Sequence, residues 1–400
     1  MVETSLRRRT VLGAGLAASV GGLTLAAPRI ARAAGAPVRI GWLVALTGPN
    51  SSPGIGFDRG IHFGLDEVNQ AGGGAGRQLE LITRDTQGDP TKAVNAALEV
   101  INQQKVEFLL GPTNSGESMA SEPVTARYKT PSLVYSVVDN LVDAKKYPYF
   151  FRQLPSNTQW TAAAQDYVLK VLKAKKVAVL ADATGYGTAT LDLAINELKK
   201  TNVPVSYSGL IDPNQTDVTA DIQKAKASGA EAMLVWSDSA GLNARLMNAR
   251  GDAGWDAPMI GHPALGTGIV KSLLKKPDYW DKVYLVGYRS TSYDANGKLP
   301  ARTQAFMEKL NGKVKLSDTT LWWVACGYDS VQLIKYAVEH GGAASPDAIR
   351  KAWESLKSFP GIFGDYSYTA TDHNGYPTAE IVMNAANSFK DGAYAVAPGY

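Results

Sequence analysis

Six short polar stretches carry the side chains with chemical potential: residues 51–54, 113–115, 136–140, 184–186, 236–239 and 261–264. Among them Ser52, Asn114, Ser115, Ser136, Tyr186 and Ser239 bring hydroxyl or amide groups, Asp238 a carboxylate and His262 an imidazole. Val137, Val138 and Trp236 lie in the same stretches and offer backbone groups or an aromatic wall. This chemistry suits hydrogen bonding to a small polar molecule better than bond making. The stretch from Val106 to Glu117 is the most telling. A short apolar run ends at Gly111-Pro112, after which Asn114 or Ser115 is placed to cap a helix. Free backbone N–H groups at such a helix start can receive a carboxylate, or the feature is an ordinary cap.

Patterns for catalysis are thin. The dinucleotide-like run Gly13-Ala14-Gly15-Leu16-Ala17-Ala18 follows no strand, and Gly54-Ile55-Gly56 has Arg59 where a third glycine is needed. There is no phosphate-binding loop, no G-x-S-x-G elbow and no Cys/His cluster with metal spacing. His62, His262, His340 and His373 are scattered. We therefore expect a non-enzyme with no cofactor and no bound metal.

The elements that must position the polar stretches alternate regularly. Strand-like runs at 38–46, 78–82, 106–110 and 131–138 are separated by helix-like patterns, the second of them opening at Asp89-Pro90. The alternation restarts with a helix at 158–173. Strands follow at 176–181, 203–210, 230–236 and 258–261, with helices between them, and another strand at 283–287. Helices are expected at 301–310, 321–339 and 346–356, and short strands in the tyrosine-rich tail. The fold class is α/β, with two Rossmann-like doubly wound lobes. In open sheets of this kind ligands bind beyond the carboxyl ends of the strands, where the six polar stretches fall, three in each repeat.

The first residues read as an export signal. Arg7-Arg8-Arg9 precedes an apolar run of small residues from Val11 to Ala27, and Ala31-Arg32-Ala33 fits a signal-peptidase site. Arg8-Arg9-Thr10-Val11-Leu12 is twin-arginine-like, with a plain secretory signal as the alternative. Residues 1–33 hold five arginines and one acid, so without them the net charge of +4 falls to about zero. Nothing then argues for nucleic acid or an anionic membrane as partner. Cys326 is the single cysteine, which precludes an internal disulfide and lies too far along to be a lipid anchor. A periplasmic monomer is the expectation.

In order and spacing, Ala45-Leu46-Thr47-Gly48-Pro49, Gly111-Pro112 with Ser115, Ala178-Val179-Leu180 with Tyr186-Gly187, and residues 236–250 form a recognisable set. On these the chain resembles the type I periplasmic binding proteins of the leucine/isoleucine/valine-binding family, which feed solutes to ABC transporters. The resemblance implies a Venus-flytrap of two lobes joined by three crossovers. Lobe 1 would take residues 36–155 plus 288–360, and lobe 2 residues 156–287 plus 361–400. It also implies that Ser115 and the backbone near 136–138 hold a ligand carboxylate, that Tyr186 closes from the second lobe, and that Trp236, Asp238 and Ser239 form a further contact region. The implied partners are a small-molecule ligand and an inner-membrane permease.

This chain departs from the family where specificity is set. Val138 replaces a threonine of the amino-acid binders, and 261–264 has no acid to pair a ligand ammonium. Asp238 is a substitute; without it the ligand would be an acid lacking an amine, including an aromatic one. Duller roles compete: Trp236 as core, Asp238 as a helix cap, Trp322-Trp323 as packing and Arg152 as a solvated surface residue. The functional expectation is capture of an amino acid or related organic acid for a branched-chain-amino-acid-type ABC importer. The alternative is a periplasmic sensor that presents its bound state to a membrane receptor.

Overall fold

The computed structural model describes residues 35–341 and 345–400. The export-signal reading of residues 1–33 lies outside them. The first sheet is built from β1 (Val38–Val44), β2 (Leu79–Asp85), β3 (Phe108–Leu110), β4 (Ser132–Val134) and β5 (Phe150–Arg152), in the order β2-β1-β3-β4-β5 with every pairing parallel. Helices α1 (Ser52–Gln70), α2 (Pro90–Asn102) and α3 (Ser115–Thr125) connect its first four strands. β1 and β3 are apolar and buried almost throughout, as strands covered on both faces must be. The Asp89 carboxylate caps α2 by accepting from Lys92 N–H at 2.9 Å, with Pro90 in the first turn, as expected.

After α4 (Asn157–Asp166) the second sheet gathers β6 (Val177–Asp182), β7 (Val205–Ile211), β8 (Ala232–Trp236), β9 (Met259–Gly261) and β10 (Val283–Tyr288). Helices α5 (Gly185–Leu198), α6 (Thr219–Ala227), α7 (Ala240–Asp252) and α8 (Gly268–Leu273) lie between these strands. The chain then forms the short strand β11 (Ser292–Tyr293) and helices α9 (Ala301–Leu310), α10 (Leu321–His340) and α11 (Pro346–Glu354). Short strands β12 (Phe359–Pro360) and β13 (Asp365–Tyr366) pair with each other. β14 (Ile381–Ala385) joins the second sheet antiparallel to β10, and β15 (Tyr394–Ala395) pairs with β11.

Helix α10 returns to the first half of the chain by lying on α1. The approach is so close that a Cβ on Gly60 would stand 1.9 Å from the Val324 carbonyl oxygen, so only glycine fits there. Phe57 fills the crossing, edge-on to Trp322 and near Trp323. The chain passes between the two sheets more than once. Asn157 N–H donates to Val137 O at 2.6 Å where α4 begins. Further on, residues 373–375 run beside β5, with Arg152 N–H donating to His373 O and Gly375 N–H to Arg152 O.

Arg152 corrects the expectation of a solvated surface arginine, since it is 1% exposed. Burial lowers its pKa to about 10, which leaves the guanidinium charged at neutral pH. Nε donates to Asn374 Oδ1 and Nη1 to the Val138 carbonyl, both at 2.8 Å. The side chain is buried because it ties the 136–138 segment to the strand crossing back from the tail.

Candidate functional site

The carboxyl ends of both sheets face one gap. Its first rim begins where β3 ends. Asn114 is the helix cap: Oδ1 accepts from Gly116 N–H at 2.9 Å, and Glu117 completes a capping box by accepting from Asn114 N–H at 3.3 Å. Ser115 is thereby free of the capping duty, and its Oγ accepts from Val137 N–H at 3.4 Å. That bond joins the loop after β3 to the loop after β4. Glu117 stands behind the rim, where burial raises its pKa to about 7.

On the second rim, Thr184 caps α5 and puts Tyr186 in its first turn. Ser239 caps α7 through a hydroxyl that accepts from Leu242 N–H at 3.3 Å, which leaves the neighbouring Asp238 carboxylate out of the capping role. His262 Nδ1 accepts from Ala264 N–H at 3.0 Å, so the neutral ring carries its proton on Nε2. Burial holds its pKa down at about 3, and the ring stands edge-on to Tyr186 and Trp160 at centroid distances of 5.3 Å each.

Between the rims lies a small cavity of about 30 Å³. Thr113, Asn114, Ser115, Ser136 and Val137 line it from the first rim, and Tyr186, Asp238 and His262 from the second. Pro53, Phe57, Tyr135, Leu154, Trp160, Trp322 and Trp323 complete the wall. Seven of the eleven residues singled out in the sequence therefore meet here: Asn114, Ser115, Ser136, Val137, Tyr186, Asp238 and His262. The other four do not line it. Ser52 starts α1 next to the lining Pro53, and Val138 reaches the site only through its carbonyl bond to Arg152. Trp236 is fully buried at the end of β8, and Ser239 is spent on its helix cap.

Sequence reasoning missed most of the aromatic wall. The sequence assigns Trp322 and Trp323 to packing; in the structure they both pack and face the cavity. A bulky pair at the start of α10 gives no hint that α1 delivers it to a gap formed two hundred residues earlier. Asn50 was missed as well. Its side-chain amide donates to one Asp238 oxygen while the Asn114 amide donates to the other at 3.0 Å.

The rims also touch as backbone. A Cβ on Gly185 would lie 2.8 Å from Gly116 Cα, so the first turns of α3 and α5 meet through two glycines. Both positive helix ends thus converge on the cavity. Among the described residues, Ser136 Oγ, Tyr186 OH and Trp322 Nε1 are buried in this wall with no hydrogen-bond partner. Three unpaired donors at one cavity are costly to hold unless something else satisfies them.

Two facing α/β halves with a polar gap between their strand ends define a two-lobed binding protein. The sequence profile described as periplasmic binding protein matches residues 37–387, and the chain belongs to that family, in its type I leucine/isoleucine/valine-binding branch. Among curated relatives, Leu/Ile/Val-binding protein homolog 3 of Brucella melitensis is 26% identical over 88% of this chain and 92% of its own length. An amino acid binding protein of Pseudomonas aeruginosa is 29% identical over 81% and 83%. The fold matches the substrate-binding protein LivJ of Streptococcus pneumoniae in complex with isoleucine, at TM-score 0.77 and 22% identity over 90% of this chain and 99% of that one. It also matches a solute-binding protein of Rhodopseudomonas palustris in complex with 4-hydroxybenzoate, at TM-score 0.75 and 21% identity over 90% and 95%.

Proposed function

We propose that this chain is the exported, periplasmic substrate-binding component of an ABC importer of the branched-chain-amino-acid type. It captures a small carboxylate-bearing solute and presents it to an inner-membrane permease. It acts as a monomer, without a cofactor, and catalyses nothing. The observation that carries the reading is the convergence of the unpaired Ser136 hydroxyl, Tyr186 phenol and Trp322 indole on a cavity toward which two helix N-termini point. Donors in that arrangement match an acceptor-only group such as a carboxylate. The aromatic wall matches an apolar or aromatic body, as in an amino acid with a large side chain or an aryl acid.

In this reading Ser115 and Ser136, with the backbone at 137–138, take the carboxylate. Tyr186 and His262 close over the ligand, and Ser52, Trp236 and Ser239 support the rims from behind. Lobe 1 comprises residues 36–155 plus 288–360 and lobe 2 residues 156–287 plus 361–400, except that residues 373–375 run beside β5 of the first sheet and so move the third crossing beyond them. The hinge lets the lobes part to admit the solute.

Thermal shift with a panel of L-leucine, L-isoleucine, L-phenylalanine, 4-hydroxybenzoate and phenylacetate tests the reading. A ligand at a hundred times its Kd adds about 2.7 kcal/mol to apparent stability, a shift that is easily read. At least one carboxylate should raise the melting temperature. A panel without effect would overturn the proposal.

A further inference from the structure

The cavity wall contains one carboxylate, Asp238, and no lysine or arginine. Asp238 belongs to the second rim, yet both of its oxygens are used by the first: Asn50 Nδ2 donates to Oδ1 and Asn114 Nδ2 to Oδ2, all three residues being buried. Asn50 is not part of the cavity wall, so its contact with Asp238 serves the joining of the rims and not the lining of the gap. We propose that Asp238 is an inter-lobe clasp held by Asn50 and Asn114, and that this engagement restricts the cleft to carboxylates that carry no amine. The second clause rests on the proposed solute-binding function; the first stands on the geometry alone.

A ligand ammonium inside the closed cleft needs a carboxylate at hydrogen-bond distance. Each oxygen of the single one in the wall already accepts from a buried amide, Asn50 on one side and Asn114 on the other. Drawing Asp238 toward an ammonium would leave the Asn50 and Asn114 amides buried and unpaired, a penalty that offsets the new ion pair. His262, neutral and with Nδ1 already accepting from the backbone, offers Nε2–H as a donor and so adds nothing for a cation. A ligand without an amine meets only donors, which the wall has in excess. Closure and selectivity then come from the same three side chains.

The clasp also predicts how the lobes respond to its loss. Apparent affinity falls in proportion to the closed fraction, so a weaker clasp speeds ligand escape without changing any cavity contact.

The experiment uses the full mature protein, with 4-hydroxybenzoate and L-phenylalanine as probes. Stopped-flow release and titration calorimetry are run on the wild type, Asn50→Ala, and the exchange Asn50→Asp with Asp238→Asn. In the exchange the new amide donates to the new carboxylate and its oxygen still accepts from Asn114, so the clasp is rebuilt with its polarity reversed. The wild type should bind 4-hydroxybenzoate and reject L-phenylalanine by at least about a hundredfold. Asn50→Ala should speed release about tenfold or more, the scale of one charged hydrogen bond, and the exchange should recover most of that loss. Tighter binding of L-phenylalanine, abolished by Asp238→Asn alone, would overturn the proposal by making Asp238 the ammonium partner. Unchanged release in Asn50→Ala would overturn the clasp. If neither probe binds, the amine-free ligand class is overturned while the thermal-shift panel judges the solute-binding function, and small-angle scattering of the unliganded proteins judges the clasp alone. A larger radius of gyration for Asn50→Ala than for the wild type supports it, and equal radii overturn it.

Discussion

The two rims of the cleft are built from the same strand–loop–helix unit and do opposite things with it. On the first rim Asn114 caps α3, the Ser115 hydroxyl bonds across to Val137, and the Glu117 carboxylate is drawn back behind the helix start. What faces the gap is a surface of donors and aromatic rings. On the second rim Thr184 and Ser239 take the capping duty, and Asp182 and Asp238 remain buried near the gap with no cation beside them. Burial raises both carboxyl pKa values, and the nearby Asp182 charge raises that of Asp238 further. Asp238 finds its partners only on the opposite rim. One half is thus complete before closure and the other is completed by it, which separates binding from shutting.

The strongest way to break that division is to stop the rims from meeting. Gly185→Ala places a Cβ 2.8 Å from Gly116 Cα while leaving a helix position that alanine favours. Affinity should drop roughly a hundredfold by calorimetry, because the closed state is penalised. Tyr186→Ala removes a buried aromatic from the closing rim and should weaken binding by about 2–3 kcal/mol. Ser115→Ala acts on the receiving rim and should cost about 1–2 kcal/mol, with slower association as well as faster release, since that rim meets the solute first. Equal kinetic profiles for the Tyr186 and Ser115 variants would erase the distinction between the rims.

The smallest effect concerns Glu117. Its folded pKa of about 7 lies above the ordinary 4.5, so the folded state holds its proton more tightly than the unfolded chain does. The stability this contributes is fully present below about pH 4.5 and is lost as pH rises through about 7. Glu117→Gln lacks the titration and keeps an acceptor for Asn114 N–H. The melting temperature of the wild type relative to this variant should fall between those pH values and be level above them.

Much of this was legible in the sequence because the parallel sheets demand it. Apolar runs ended by turn residues are what strands buried on both faces look like, and the polar stretches follow at their carboxyl ends. β5 escaped notice since Phe150–Arg152 is three residues long and ends in an arginine whose usual place is in water. Its burial follows from Asn374 and Val138, both remote in the chain. The choice between Asn114 and Ser115 as helix cap was open because either oxygen reaches the first turn, and their roles are separated by the Asn114 bond to Gly116 and the Ser115 contact with Val137. Asn50 and the cavity-facing role of Trp322 and Trp323 were hidden for a related reason. Their function comes from partners that the fold brings together across the gap, and local spacing carries no trace of that.

The central claim is most directly tested by a crystal structure of the protein with whichever carboxylate produces the largest thermal shift. We expect the ligand enclosed between Ser115, Ser136 and Tyr186, its carboxylate toward the start of α3 and its body against Trp322. Density for that ligand anywhere outside the gap, with Ser136 and Tyr186 still unpaired, would contradict the account.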